Sequence, residues 1–99
     1  MSVDLWDVII VGAGPAGLNA ALVLGRCRRK VLVFDDGRPR NAASPALHGF
    51  LSRDGIAPAE LRRIGREQIA RYESVRFIDA TVVDAARSDG GFRVQTEQW

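Results

Sequence analysis

The sequence contains only one cysteine, Cys27, and this scarcity excludes a disulfide within the chain. It also contains no Cys-x-x-Cys pair, so these residues do not encode the dithiol of a thiol–disulfide exchange site. We interpret Cys27 as a packing or chance residue. No clustered metal ligands stand out, and we therefore predict no metal site.

Long apolar runs and a basic N-terminal segment are also missing. No run is long enough to span a membrane, and the acidic residues Asp4 and Asp7 stand where a signal peptide is basic. We therefore expect no membrane association and a cytoplasmic location. Basic residues concentrate in residues 26–30, but no aromatic residues interleave with them and the net charge is only +2. This cluster is typical of a solvated helix end, so no nucleic-acid partner is expected.

The most informative segment that is present is a glycine motif following an apolar run, residues 8–11. The motif has the form Gly-x-Gly-x-x-Gly and places glycines at Gly12, Gly14 and Gly17. In this pattern the first glycine permits a tight turn, the second lets a pyrophosphate approach the backbone, and the third lets a helix pack closely on the strand. Pro15 suits the first turn of that helix. The free N–H groups and the positive dipole end of this helix then favour a phosphate ligand.

A second β-branched, apolar strand is predicted over residues 30–34, and it is followed by two acidic residues. Asp35 and Asp36 come about twenty residues after the glycines, where an acid can bind ribose hydroxyls. We prefer Asp35 because it directly follows the strand. An acid at this position disfavours a ribose 2′-phosphate, so NADP is not expected in this pocket.

The remaining pattern predicts an α/β fold in a single small domain of 99 residues. The first helix includes residues 18–24 and stops at Gly25. The later elements are a loop over residues 37–56, a helix over residues 58–72, a third parallel strand over residues 75–78, and an antiparallel hairpin formed by residues 81–87 and 92–96 around a turn at residues 88–91.

The predicted helix over residues 58–72 is amphipathic. Its apolar face comprises Leu61, Ile64, Gly65, Gln68, Ile69 and Tyr72. Its polar face comprises Glu60, Arg62, Arg63, Arg66, Glu67 and Arg71. Arg63, Glu67 and Arg71 are spaced for i,i+4 ion pairs, and we interpret the polar face as solvated and without a site.

The sequence resembles the FAD domain of the thioredoxin-reductase-like flavoproteins, in the pyridine nucleotide–disulfide oxidoreductase group. The resemblance is carried by residues 8–17, by Ala21, which extends the glycine motif to the form common in FAD binders, and by residues 35–41 and 48–55. It covers nearly the whole chain. It implies an incomplete Rossmann-like FAD-binding domain, of which residues 1–99 form the N-terminal portion.

The resemblance also implies roles for particular residues. The FAD pyrophosphate would lie against Gly12, Gly14, Pro15, Ala16 and Gly17. Asp35 would bind the adenosine ribose, and the backbone of Val82 would meet the adenine edge. Arg40, Asn41 and His48 would lie toward the flavin, although each is also an ordinary loop residue. NAD(P)H is the reductant expected in the full-length context.

Three functions remain open from the sequence. The first is the FAD-binding part of an NAD(P)H-linked flavin oxidoreductase, in which no residue of this chain is assigned as catalytic. The second is a fragment of an NAD-dependent dehydrogenase, which the long loop and the hairpin disfavour. The third is a non-catalytic fragment that acts only in binding or assembly. The expected partners are the rest of the flavoprotein or a second chain completing the sheet, and we expect a homo-oligomer.

Overall fold

The structure is a computed structural model that describes residues 5–37 and 51–97. Its elements in chain order are β1 (Val8–Val11), α1 (Pro15–Arg26), β2 (Val31–Asp35), α2 (Pro58–Ile69), β3 (Val75–Asp79), β4 (Val82–Ser88) and β5 (Gly91–Thr96). The predicted α/β class, with a βαβ unit, a second helix, a third parallel strand and an antiparallel hairpin, is confirmed.

β2 is the central strand of a three-stranded parallel sheet with the order β1-β2-β3. All of its residues are buried, as expected for a parallel strand covered on both faces. Val31 and Val33 pack in a cluster with Leu18 of α1 and Ile69 of α2. The alternate residues of β2 pack on the opposite face of the sheet, in a cluster that includes Val82 of the hairpin.

Helix α1 begins at Pro15, as predicted, but Gly25 does not end it. The helix continues to Arg26, and Gly25 is buried within its last turn. A Cβ atom added at Gly25 would lie 2.9 Å from Val75 Cγ2 and 3.1 Å from Tyr72 Cβ. The prediction of a stop was wrong because this glycine serves close packing of the helix on its neighbours rather than a change of backbone direction.

Helix α2 begins at Pro58, as predicted, and ends at Ile69 rather than at Tyr72. The last α-helical hydrogen bond runs from the Ala70 N–H to the Arg66 carbonyl. The Tyr72 N–H then donates to the Ile69 carbonyl, which closes a tighter turn. α2 packs against α1 through an apolar face that includes the buried residue Leu61.

The strand bounds differ from the predicted ones by one residue at several ends. β2 runs through Asp35, and β3 extends to Asp79, which is the register partner of Asp35 in the sheet. The hairpin turn is shorter than predicted. Only Asp89 and Gly90 separate β4 from β5, and both have positive φ, the backbone conformation of a tight hairpin turn.

Neither of the helices in the described ranges is long and apolar enough to cross a membrane.

Candidate nucleotide-binding site

The glycine motif forms the turn between β1 and α1, and its three glycines meet three different constraints. Gly12 has φ +102°, and its N–H donates a 2.8 Å hydrogen bond to the Phe34 carbonyl at the end of β2. A Cβ atom at Gly17 would lie 2.1 Å from the Gly12 carbonyl oxygen, so this helix position excludes a side chain. A Cβ atom at Gly14 would meet nothing within 4 Å, so its missing side chain leaves open space beside the backbone.

The N-terminus of α1 supplies the positive end of the site. Gly14 is the residue before the helix, and its carbonyl accepts the Leu18 N–H at 2.9 Å. N–H groups in the first turn of a helix have no acceptor within the helix. Because Pro15 has no N–H, the groups available in this turn belong to Ala16 and Gly17. Together with the helix dipole, they form an arrangement that favours an anion.

Asp35 lies at the carboxyl end of β2, beside the glycine turn. It is only 6% exposed. Its Oδ1 accepts the Gly37 N–H at 2.9 Å, while its backbone carbonyl accepts the Ala80 N–H at 3.1 Å. Asp36 is exposed. The carboxylate of Asp35 is thus held by the backbone that follows β2.

The glycine turn, Asp35 and the start of β4 open into one cleft of about 510 Å³. Its lining residues are Val11, Gly12, Ala13, Gly14, Pro15, Ala16, Gly17, Phe34, Asp35, Asp36, Ala80, Thr81 and Val82. The structure therefore brings together seven of the residues predicted to bind the cofactor, and their individual roles stay predictions. Arg40, Asn41 and His48 lie outside the described residues.

Sequence reasoning did not assign Ala80 and Thr81 to the site. Both follow β3 and line the cleft next to the carboxyl end of β2. The signal that could have identified them is topological, because ligands of open α/β sheets bind outside the carboxyl ends of the parallel strands.

The polar face of α2 is not uniformly solvated, which corrects its interpretation from the sequence. Arg63 does form the expected exposed ion pairs, with Glu60 and Glu67. In contrast, Arg62 and Arg66 turn toward the sheet and approach the Asp35 carboxylate. Helical spacing showed that these residues share a surface, but it did not show that β2 ends beneath two of them.

Charge effects on the exposed part of α2 are local. The hydrogen bonds from Arg63 lower the pKa of the Glu60 carboxyl below its ordinary value.

Among the residues that the structure describes, no group of histidine, cysteine and acidic side chains is placed to hold a metal ion. The cleft itself offers backbone N–H groups, the N-terminus of α1 and carboxylates.

These features define an α/β nucleotide-binding unit. The chain matches the pyridine nucleotide-disulphide oxidoreductase family over residues 6–98, and it belongs to that family. Its relatives and structural neighbours include proteins named as thioredoxin reductases, and this confirms the resemblance inferred from the sequence.

Curated relatives include two fungal proteins. The chain is 46% identical over 77 residues to a probable thioredoxin reductase of Arthroderma benhamiae, covering 78% of this chain and 19% of the relative. It is 44% identical over 85 residues to a thioredoxin reductase of Claviceps purpurea, covering 85% of this chain and 26% of the relative. The chain thus spans about a fifth to a quarter of the length of these relatives.

Solved structures show the same relationship. A putative thioredoxin reductase from Bacillus anthracis superposes with a TM-score of 0.87 at 42% identity, over 95% of this chain and 32% of that one. An oxidoreductase from Agrobacterium tumefaciens superposes with a TM-score of 0.88 at 43% identity, over 97% of this chain and 32% of that one. The described fold is therefore that of the corresponding third of these thioredoxin-reductase-like oxidoreductases.

Proposed function

We propose that this chain is the FAD-binding part of an NAD(P)H-dependent oxidoreductase of the thioredoxin-reductase type. The observation that carries the proposal is the single cleft into which the glycine turn, the N-terminus of α1 and the Asp35 carboxylate all open. A phosphate-binding helix end beside a ribose-binding acid is the arrangement that a dinucleotide requires.

The described residues fit the adenosine half of FAD. The open space at Gly14 accommodates a pyrophosphate, and the first-turn N–H groups of Ala16 and Gly17 donate to its oxygens. Asp35 accepts hydrogen bonds from the ribose hydroxyls. The cleft volume lies within the range of small-molecule sites, and Val82 closes it at the side of the hairpin.

FAD, when bound, supplies hydride and electron transfer, while the protein orients the cofactor and excludes water. Arg40, Asn41 and His48 are proposed to lie toward the flavin end, on the resemblance alone. None of the described residues is assigned as a general acid, base or nucleophile. The contribution of this chain is thus binding and orientation.

The electron acceptor is a separate matter from FAD binding. Two relatives at 31% identity are named as part of an opine oxidase in Rhizobium meliloti and as a ferredoxin–NADP reductase in Streptococcus sanguinis. Similar nucleotide-binding parts therefore occur in proteins named for different reactions. We propose NAD(P)H as the reductant from the family relationship and leave the acceptor unassigned.

The test is the cofactor content of the purified full-length protein. We expect a yellow protein whose released cofactor is identified as FAD by chromatography and mass spectrometry. A colourless, folded protein that binds NAD but not FAD would support the dehydrogenase alternative instead. Homo-oligomerisation and a cytoplasmic location stay predictions, and light scattering on the same preparation tests the first of them.

A further inference from the structure

Arg66 makes three contacts that converge at the carboxyl ends of β2 and β3. Its Nη1 lies 3.5 Å from Asp35 Oδ2 and 3.7 Å from Asp79 Oδ1. Its guanidinium also lies over the Phe77 ring, 4.4 Å from the ring centroid. The cation–π contact and the two carboxylates together hold this side chain at the ends of the two strands.

The two carboxylates are opposite one another in the sheet. Asp35 and Asp79 are register partners at the ends of neighbouring parallel strands. Like charges placed opposite one another on adjacent strands repel. Because Arg66 lies between them, it offsets this repulsion on the side of the sheet that α2 covers.

Arg62, one helical turn before Arg66, brings a second guanidinium to the same carboxylate. Its Nη1 lies 4.0 Å from Asp35 Oδ1 and, within the described part of the chain, is buried without a hydrogen-bond partner. Leaving a buried donor unpaired is unfavourable. A shift of less than about 1 Å would bring it within hydrogen-bond distance of Asp35.

We propose that Arg66, assisted by Arg62, is a positioning residue that holds the Asp35 carboxylate in place for the adenosine ribose. The proposal rests on the FAD-binding function proposed above and adds residues of α2 to it. Asp35 is then held from two directions. The Gly37 N–H holds Oδ1 from the backbone, and Arg66 holds Oδ2 from the helix.

The test is a titration of the apo form of the full-length protein with FAD and with an FAD analogue that lacks the adenosine 2′-hydroxyl. In the wild type, Asp35 should make FAD bind more tightly than the analogue. Arg66→Ala should weaken FAD binding about three- to tenfold, and it should weaken analogue binding less. The ratio of the two affinities therefore falls.

Two further variants separate positioning from a general effect on the fold. Arg66→Lys keeps the charge but loses the planar group over Phe77, and it should restore part of the ratio. Arg63→Ala removes an exposed arginine of the same helix and should leave both affinities unchanged. Should Arg66→Ala fail to fold, Arg66→Lys and Arg62→Ala carry the same comparison.

A double-mutant cycle tests whether Arg66 acts through Asp35. Asp35→Asn combined with Arg66→Ala should bind FAD no more weakly than Asp35→Asn alone. Additive losses, or equal losses for FAD and the analogue, would overturn the positioning role. Failure of the wild type to bind FAD would instead overturn the proposed function, so the two failures are distinguishable.

Discussion

Gly17 lies so close to Gly12 that a Cβ atom on it would come within 2.1 Å of the Gly12 carbonyl oxygen. The obstacle is backbone, which cannot move without shifting the turn or the helix. Gly14 differs, because a Cβ atom there would point into open space. Packing therefore requires a glycine at position 17, whereas the space beside Gly14 is open and is where we propose that the ligand lies.

Substitution at Gly14 should affect the cofactor and largely spare the fold. Gly14→Val in the full-length protein puts a side chain where the pyrophosphate is proposed to lie. The residue has φ −77° and ψ −173°, an extended conformation that valine adopts without strain. We expect a clear drop in the ratio of flavin to protein absorbance, with a melting temperature close to that of the wild type. A folded variant with unchanged FAD occupancy would contradict the site assignment.

Substitution at Gly17 should instead affect stability. Gly17→Ala forces α1 away from the turn, and overpacking of this kind costs about 1–3 kcal/mol or more in the free energy of unfolding. Denaturant unfolding of the apo-protein measures this loss without any contribution from FAD. If Gly17→Ala were as stable as the wild type, the close approach of helix and turn would not exist in solution.

The two neighbouring acids offer a matched comparison at the ribose. Hydrogen bonds to a charged group are worth about 1.5–3 kcal/mol, so Asp35→Ala should weaken FAD roughly ten- to a hundredfold. Asp36→Ala should do much less, because Asp36 is exposed whereas Asp35 is buried and fixed by the Gly37 N–H. Calorimetric titration of the apo-proteins decides between them. Equal losses would mean that Asp35 is not the acid that selects the ribose.

Local patterns predicted the part of the fold that forms locally. The glycine motif, Pro15 at the start of α1 and Pro58 at the start of α2 each determine structure within a few residues. Features that depend on distant contacts were not predictable in this way. Gly25 resembles a helix stop in the sequence, but the structure places it against Tyr72 and Val75, which lie about fifty residues further along the chain.

The same distinction applies to the candidate site. Gly12 and Asp35 were identified because a known spacing relates them. Arg62 and Arg66 were assigned to a solvated face because the sequence shows only that they lie one helical turn apart. Their approach to Asp35 depends on how α2 packs across α1 and the sheet, and no single-sequence pattern encodes that packing.

The packing role of Gly25 predicts an unusual sign for a helix substitution. Replacing glycine by alanine inside a helix ordinarily stabilises it by about 1 kcal/mol. At Gly25 the new Cβ would meet Val75 Cγ2 at 2.9 Å and Tyr72 Cβ at 3.1 Å, so Gly25→Ala should be destabilising overall.

Gly65→Ala is the matched control for Gly25→Ala. The nearest atom to its added Cβ is Leu18 Cδ1 at 3.0 Å, the far end of a flexible side chain. Leu18 can adjust, so the helix propensity of alanine should offset most of the crowding. Urea unfolding of both variants tests the difference. Equal stability changes at the two positions would show that the contacts of Gly25 do not restrict it.

The last prediction concerns the 99 residues by themselves, without the rest of the flavoprotein. Within the described ranges, β1 is hydrogen-bonded to β2 on one side only, and Val11 at its end is 61% exposed. An unpaired apolar edge of a parallel sheet promotes pairing with another chain. We therefore expect self-association or poor solubility, and no NAD(P)H oxidation above the background of free flavin.

Sedimentation velocity and a diaphorase assay test this expectation on the isolated chain. Phosphate binding at the glycine turn can persist, because Gly12, Gly14 and Gly17 form a local unit with the start of α1. Adding the rest of the flavoprotein in trans should reduce self-association if it covers the β1 edge. A well-folded monomer that retains FAD and oxidises NAD(P)H would show instead that these residues are a minimal enzyme, and that β1 needs no further strand beside it.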